Sequence, residues 1–258
     1  MKQNYAKYFS VIALVGTLMF TSCHLSKKGD GIAEVKGEMI EMNSEWDTNP
    51  DKEAVDILQP YKDSIHNKMD EIIGKSAMKM EKGKPEGLLS NLVAEVIRQS
   101  AKKVINGPAD MGLVNMGGLR NILPEGDITV STIYEILPFE NSLCVMTMKG
   151  SDMKNLFKSI ASLGGEGVSG IHLDITEDGT LKKATIGGKE IDDNRTYTVA
   201  TIDYLADGNG SMDAFLNATN RVCPDNATLR SIFLDYVKQQ TAQGKQITSE
   251  LDGRITVE

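Results

Sequence analysis

Histidine and aromatic residues are scarce in this chain of 258 residues. It has 3 histidines, and phenylalanine, tryptophan and tyrosine together make up 5% of the sequence. His24, His66 and His172 stand far apart, and none belongs to an H-x-H, H-E-x-x-H or D-x-H pattern. Since a dinuclear metal centre needs clustered imidazole and carboxylate ligands, we expect no self-sufficient metal site in this chain. An aromatic pocket would have to be made from very few rings.

Other signatures of catalysis and of nucleic-acid binding are missing as well. The sequence has no G-x-S-x-G nucleophile elbow, no G-x-x-x-x-G-K-[ST] phosphate loop and no G-x-G-x-x-G between a strand and a helix. The net charge is −8, and lysines and arginines form no run longer than a pair. Because nucleic-acid binding depends on a basic patch that neutralises phosphates, the composition argues against nucleic acid as a partner.

The N-terminal residues have the pattern of a targeting segment rather than of a folded element. Lys2 and Lys7 precede an apolar run over 11–20, and Thr21 and Ser22 stand directly before Cys23. Small residues before a cysteine are typical of a bacterial lipoprotein cleavage site. This predicts lipidation at Cys23 and an extracytoplasmic, membrane-anchored protein. The alternatives are an ordinary signal peptide and a transmembrane anchor, although the run is shorter than the ~20 residues that span a bilayer.

Only two cysteines remain after the targeting segment. Cys144 lies in an apolar strand pattern, and no spacing argument joins it to Cys223. We therefore expect two buried free thiols, with a disulfide between them as the alternative.

The hydrophobic pattern predicts an α/β (α+β) domain with mixed sheets. Helical spacing appears over 51–73, where Pro60 interrupts it, and clearly over 88–97. A short helix capped by Ser131 ends before Pro138. The remaining predictions are helices over 150–160 and 229–237, a flexible loop over 164–167, and strands over 32–42, 74–80, 111–114, 143–148, 170–176, 181–186, 196–201 and 254–257.

One stretch organises the rest of the chain. A buried strand over 111–114 stops at Asn115 and is followed by Gly117 and Gly118, which permit a tight turn. Arg120 follows the turn with five donors in a planar fork, which suits a carboxylate, a phosphate or the edge of a ring. Alone, this pattern is also that of an ordinary loop with an ion-paired arginine.

Four motifs that occur in a fixed order along the chain indicate a protein family. They are N-M-G-G-L-R at 115–120, G-D-I-T at 126–129 leading to L-P-F-E-N at 137–141, M-K-G at 148–150 followed by V-S-G at 168–170, and D-Y-L-A-D-G-N-G at 203–210. This set resembles the C-terminal substrate-binding domain of the 5'-nucleotidase family, with its N-G-G-G-I-R, P-F-G-N, S-G and F-x-A-x-G-G-D-G patterns. The resemblance extends from about residue 72 to the C-terminus.

The resemblance implies a layered α/β domain that binds a nucleotide or nucleoside. Asn115 and Arg120 would hold the polar edge of the ligand, and Phe139 and Tyr204 would clamp its base between two rings. Stacking on aromatic rings contributes about 1–3 kcal/mol per base. The expected substrate-binding residues are Asn115, Gly117, Gly118, Arg120, Phe139, Asn141, Tyr204 and Asp207.

The chain departs from the family pattern at several positions. Met116 and Glu140 stand where the family has glycines, which makes the expected rim bulkier and more acidic. Asn209-Gly210 replaces Gly-Asp and removes an acceptor. A further family arginine would fall near Gly83, which only Lys82 and Lys84 flank, and lysine cannot reproduce a bidentate fork.

These observations predict a signal peptide over 1–22, a tether with an N-terminal strand over 23–50, and a 5'-nucleotidase C-terminal-like domain over 51–258. The family's metallophosphatase domain has no counterpart in this sequence. One hypothesis is that a separate metallophosphatase chain supplies the divalent metals, that this chain recognises the nucleotide without a cofactor of its own, and that the helix over 51–73 docks the partner. The alternatives are a non-catalytic nucleoside- or solute-binding lipoprotein and a degenerate scaffold without a working pocket.

Overall fold

The structure, a computed structural model, describes residues 37–258 except 42 and 49. It contains two units, residues 1–55 and residues 56–258. In the first unit the described backbone forms a 3₁₀ helix at Ser44–Thr48. The targeting segment with Cys23, the residue His24 and most of the strand predicted over 32–42 lie outside the described residues. Residues 37–41 of that prediction are not in a strand.

The first helix, α1 (Lys52–Met69), continues through Pro60 and buries none of its side chains. The prediction of one helix over 51–73 is wrong at its C-terminal end, because Ile72–Ser76 form strand β1. β1 pairs antiparallel with β3 (Gly126–Thr129), which buries Ile73. The strand predicted over 74–80 therefore begins earlier and ends earlier. Among the described residues, no helix is both long enough and apolar enough to cross a membrane.

A mixed five-stranded sheet forms the centre of the domain. Its order is β10-β4-β9-β2-β5, with the central pair β9–β2 parallel and the other pairs antiparallel. Gly167, predicted as part of a loop, begins β5. The five strands are β2 (Met111–Val114), β4 (Leu143–Lys149), β5 (Gly167–Ser169), β9 (Thr196–Ile202) and β10 (Asn220–Val222).

A second sheet of four strands has the order β11-β6-β7-β8. β11 pairs in parallel with β6 at one edge, and the two hairpin connections run antiparallel. The turns contain Gly179, Gly187 and Gly188, all with positive φ, as their Asp-Gly and Gly-Gly sequences predict. The four strands are β6 (Ile171–Ile175), β7 (Leu181–Ile186), β8 (Lys189–Glu190) and β11 (Ile255–Val257).

Helices cover the sheets and close the core. α2 packs against β2, β5 and β9, whereas α4 packs against β4, β9 and the β6–β7 hairpin. Gly112 lets α2 approach β2 closely, because a Cβ atom there would lie 2.2 Å from the carbonyl oxygen of Ala94. The predicted α/β class with mixed sheets is thus confirmed. The helices are α2 (Leu88–Ser100), α3 (Val130–Ile136), α4 (Gly150–Ser162), α5 (Asp203–Ala206) and α6 (Leu229–Ala242).

The cap of α3 differs from the prediction. Thr129, not Ser131, is the N-cap, and its hydroxyl accepts a hydrogen bond from the backbone N–H of Thr132 at 3.2 Å. The Thr132 hydroxyl accepts in return from the backbone N–H of Thr129, which completes a capping box. The hydroxyl of Ser131 instead points toward Glu135.

The prediction of two free thiols is wrong. Cys144 in β4 and Cys223 just after β10 form a disulfide, with their Cα atoms 4.2 Å apart. The antiparallel pairing of β10 with β4 places Val222 opposite Val145, so the two cysteines meet at the edge of the sheet. The bond therefore fastens the edge strand to its neighbour.

Candidate functional site

The end of β2 and the glycine pair after it form the base of the candidate site. The backbone of Asn115 is extended, and Met116–Gly118 make one turn of 3₁₀ helix. A Cβ atom at Gly117 or at Gly118 would lie 3.3 or 3.2 Å from the amide of Asn115, so this side chain lies directly over the glycine pair. The lack of side chains there leaves room for the Asn115 amide.

Two charged side chains form hydrogen bonds with the backbone of this turn. The ammonium of Lys82 donates to the carbonyl oxygens of Met116 at 3.0 Å and Leu119 at 2.6 Å. The Glu166 carboxylate accepts a hydrogen bond from the backbone N–H of Met116 at 2.5 Å. Burial raises the pKa of Glu166, and the Met116 hydrogen bond and the charges of Lys84 and Lys82 oppose that rise only in part.

Arg120 lies across the Phe139 ring at the next position. Its Cζ atom is 5.3 Å from the ring centroid, which is a cation–π distance. The backbone N–H of Arg120 donates to Ile136 at 2.9 Å and so ties the turn to the end of α3. In the described part of the chain, the guanidinium has no hydrogen-bond or ion-pair partner, so its donors face solvent.

The Phe139 segment and Tyr204 are joined through Asp203. The Asn141 side-chain amide donates to the Asp203 carboxylate at 2.9 Å, and the backbone N–H of Tyr204 donates to the same oxygen at 2.8 Å. Phe139 and Tyr204 keep 45% and 43% of their surface exposed, although both are large apolar rings. No direct ring contact joins them in the part of the chain that the structure describes.

A turn that contains two glycines packs against Tyr204. Gly208 and Gly210 both have positive φ, which favours glycine. A Cβ atom at Gly210 would lie 3.6 Å from Cε1 of Tyr204 and 3.2 Å from Leu205. The turn therefore packs closely beside the tyrosine ring.

These elements line an open cleft with a volume of about 410 Å³. Its volume lies within the range of small-molecule sites, roughly 300–1,000 Å³. Apolar walls from two rings and polar groups from an arginine and two asparagines make it suited to a flat ring with a polar edge. The structure brings together seven of the eight predicted residues as its lining: Asn115, Gly117, Gly118, Arg120, Phe139, Asn141 and Tyr204.

Asp207 is the predicted residue that does not line the cleft. Its carboxylate pairs with Arg221 at 2.5 Å, and the same guanidinium donates to Sγ of Cys223 at 3.1 Å. Asp207 thus connects the Tyr204 segment to the disulfide-fastened edge strand. Its role in ligand binding stays a prediction, as do the roles of the other seven residues.

Sequence reasoning missed two residues that organise the cleft. Asp203 accepts hydrogen bonds from the side chain of Asn141 and the backbone of Tyr204. Its place directly before Tyr204 in the fourth motif is the sequence signal that could have identified it. Arg230 in α6 donates to the backbone carbonyls of Leu137 and Pro138, just before Phe139, and no local sequence pattern predicts that contact. Glu140, expected to make the rim acidic, pairs its carboxylate with Arg230.

Outside the cleft, the arrangement of the described residues bears on metal binding and on histidine chemistry. In the ranges that the structure covers, no group of three or more histidine, cysteine, aspartate or glutamate side chains is arranged to hold a metal ion. His172 contacts Asp174 at 2.7 Å and the carbonyl oxygen of Gly253 at 2.5 Å, so both ring nitrogens are engaged. The imidazole of His66 on α1 lies 3.4 Å from the carboxylate of Asp70, the residue that follows the helix.

The fold and the cleft together define an α/β domain with an aromatic-walled surface site. Comparison with known sequences is consistent with that class: the sequence model of the 5'-nucleotidase, C-terminal domain family matches residues 68–217. The chain belongs to this family, as its four motifs predicted.

Relatives with curated descriptions share this region at moderate identity. The chain is 31% identical over 170 residues to endonuclease YhcR of Bacillus subtilis, a match that covers 63% of this chain and 14% of the relative. It is 26% identical over 164 residues to protein UshA of Yersinia enterocolitica, covering 61% of this chain and 29% of the relative. The chain thus spans less than a third of the length of each of these relatives.

Solved structures show the same fold. A 5'-nucleotidase precursor from Thermus thermophilus superposes with a TM-score of 0.68 at 24% identity, covering 79% of this chain and 43% of that one. The NAD nucleotidase of Haemophilus influenzae superposes with a TM-score of 0.60 at 19% identity, covering 81% of this chain and 42% of that one. The chain therefore spans less than half of each.

Proposed function

We propose that this chain binds the nucleoside part of nucleotides, as the recognition domain of a 5'-nucleotidase-type hydrolase system. The observation that supports this best is the cleft between Phe139 and Tyr204. Both rings are half-exposed, and the guanidinium of Arg120 beside them keeps its donors free of protein partners in the described residues. Exposed rings and an arginine whose N–H donors have no protein partner in the described residues favour a ligand with a π-face and a polar edge.

The hydrolytic step is proposed to come from a separate metallophosphatase chain that holds the divalent metals. The nucleotidase structures that share this fold are more than twice as long as the matched region, which supports a second unit in the reaction. α1 is the proposed docking element, because Ile57, Leu58, Tyr61 and Ile65 are all about half-exposed or more. Lipidation at Cys23 would place the system outside the cytoplasm.

Calorimetric titration of adenosine and AMP into the form that begins at His24 tests the recognition step. The wild type should bind, and Phe139→Ala and Tyr204→Ala should each lose affinity, since removing a stacked ring costs about 1–3 kcal/mol per base. Tyr61→Ala is the matched control, because Tyr61 is equally aromatic and 67% exposed but does not line the cleft. Absence of binding by the wild type would favour a degenerate scaffold and contradict the proposal.

Co-purification with the candidate metallophosphatase tests the partner separately. The two chains together should hydrolyse AMP, and Ile57→Asp together with Ile65→Asp in α1 should weaken their association without changing adenosine affinity. Full hydrolysis by the metallophosphatase alone would contradict a shared system.

One observation favours a second candidate, a nucleoside-binding protein without catalysis. Lys82 and Lys84, the cations nearest the expected family arginine, donate to backbone carbonyls of Met116, Leu119 and Leu163. They are therefore committed to the fold rather than to a phosphate. Equal affinity for adenosine and AMP, with no metallophosphatase partner, would favour this candidate, whereas tighter binding of AMP would favour the first.

A further inference from the structure

A buried arginine at the start of α6 holds the segment that carries Phe139. Arg230 is only 7% exposed, and its Nη1 donates to the carbonyl oxygens of Leu137 at 3.3 Å and Pro138 at 3.1 Å. These carbonyls belong to the two residues that directly precede Phe139. The position of the ring therefore depends on a side chain that lies far away in sequence.

The same guanidinium has two further contacts. Its Nη2 pairs with the carboxylate of Glu140, the residue that directly follows Phe139. Its Cζ lies 4.1 Å from the centroid of the Tyr134 ring, which covers one face of the guanidinium. Because a buried charge needs both an opposite charge and hydrogen bonds, this set of contacts constrains the arginine to one position.

The main chain next to Arg230 fixes the far end of the same segment. The backbone N–H of Leu229 donates to the carbonyl oxygen of Asn141 at 2.8 Å, and Asn141 in turn reaches Asp203. Residues at the start of α6 thus form contacts with the segment 137–141 on both sides of Phe139.

We propose that Arg230 and Glu140 form a latch that sets the Phe139 wall of the cleft before a ligand arrives. Arg230 is then a positioning residue: neither it nor Glu140 lines the cleft. Arg230 lies outside residues 68–217 of the family match, and Glu140 stands where the P-F-G-N pattern that the sequence resembles has a glycine. The effect of the latch on affinity rests on the proposed nucleoside recognition, but the latch itself does not.

A fluorescence reporter tests the latch without any ligand. The chain has 1 tryptophan, so the double variant Phe139→Trp and Trp46→Phe moves the only indole to the cleft wall. In this background Glu140→Ala should increase acrylamide quenching and lower the anisotropy of the indole, because the wall is no longer fixed. Glu140 is a suitable first site, since its side chain is 73% exposed and its loss leaves no cavity.

Arg195→Met is the matched control for Arg230→Met in the reporter background. Arg195 also pairs with an acid, Asp110 at 3.6 Å, and also stacks on a tyrosine, Tyr197 at 4.8 Å, but it does not line the cleft. Arg230→Met should increase quenching and Arg195→Met should not. Arg230→Lys, which keeps the charge without the fork, should restore the wild-type value only in part. Unchanged quenching in both Glu140→Ala and Arg230→Met would overturn the latch.

Titration of adenosine into the chain with native Phe139 then measures what the latch contributes to binding. Glu140→Ala should weaken adenosine binding about tenfold, since a wall that must be ordered on binding reduces affinity. Because the loss of Glu140 leaves the buried Arg230 charge without its counter-ion, thermal unfolding of Glu140→Ala is measured as well, and the titration is done at a temperature where both proteins are fully folded, which separates positioning from general stability. Increased quenching with an adenosine affinity equal to wild type would overturn the positioning role. Increased quenching in a protein that binds no adenosine at all would support the latch and contradict the proposed function instead.

Discussion

The guanidinium of Arg120 lies over the ring of Phe139, with Cζ 5.3 Å from the ring centroid. The two residues come from different segments, the turn after β2 and the loop after α3. Their contact gives the cleft one wall that is both aromatic and cationic. The opposite wall, Tyr204, has no comparable cation–π contact in the described residues.

Arg120→Lys should weaken adenosine binding about tenfold although the charge is kept. Lysine has no planar fork, so it can neither present paired donors to the edge of the ligand nor stack flat on the Phe139 ring as the guanidinium does. Calorimetry with adenosine measures the loss. Arg195→Lys, which alters a similar arginine–tyrosine stack outside the cleft, is the control and should bind like the wild type. Equal affinity of all three proteins would contradict a ligand role for Arg120.

Gly118→Ala should reduce affinity while leaving the fold stable. The new Cβ would lie 3.2 Å from Oδ1 of Asn115, a side-chain atom that can move away. The methyl group shifts the amide and narrows the cleft that Gly118 lines, and we expect a loss of about tenfold, or about 1.4 kcal/mol. Binding is read by calorimetry and stability by thermal unfolding. An unchanged affinity would show that the Asn115 amide does not contact the ligand.

Gly112→Ala should do the reverse and destabilise the domain itself. Its Cβ would lie 2.2 Å from the carbonyl oxygen of Ala94, a backbone atom of α2 that cannot move alone. Overpacking of this kind costs about 1–3 kcal/mol. Urea unfolding measures the free energy, and a variant as stable as the wild type would mean that α2 and β2 are not packed this closely.

Loss of the disulfide should destabilise the chain by about 2–5 kcal/mol. Cys223→Ser removes a cross-link between cysteines 79 residues apart in sequence. Urea unfolding of the form that begins at His24 measures the change. Addition of a reductant should lower the free energy of unfolding of the wild type to that of the variant, and it should leave the value for the variant unchanged. Two titratable thiols in the unreduced, denatured wild type would contradict the bond.

The pKa of Glu166, raised by burial, predicts a specific pH dependence of stability. Between its ordinary value of 4.5 and the raised value, the folded chain holds more protons than the unfolded chain. The contribution of Glu166 to stability therefore falls as pH rises through that interval. Relative to Glu166→Gln, the wild type should lose free energy of unfolding across this interval. A difference that stays constant with pH would contradict the raised pKa.

Local periodicity predicted the framework well. The apolar spacing of 88–97 predicted α2, and the buried run at Met111–Val114 predicted β2 with its turn. It failed where a long-range contact decides the structure. Ile72 and Ile73 fit the helical spacing of α1, but pairing with β3 places them in a strand.

The candidate site shows the same division. Three of the four ordered motifs contain the seven predicted residues that meet at one cleft, because each of these three stands where a strand or helix begins or ends beside it. The pairing of Cys144 with Cys223 depends on the register of β10 against β4, and no local pattern contains that register. Arg230 was missed for a similar reason, since its partners lie on a loop distant in sequence.

A crystal structure of the chain with adenosine bound tests the central claim most directly. The account predicts that the base lies between the rings of Phe139 and Tyr204, with its edge or the ribose within hydrogen-bond distance of Arg120 or Asn115. The two asparagines and the glycine pair should contact the ligand without a change in the backbone. A base bound elsewhere on the chain, with both rings still facing solvent, would contradict the account.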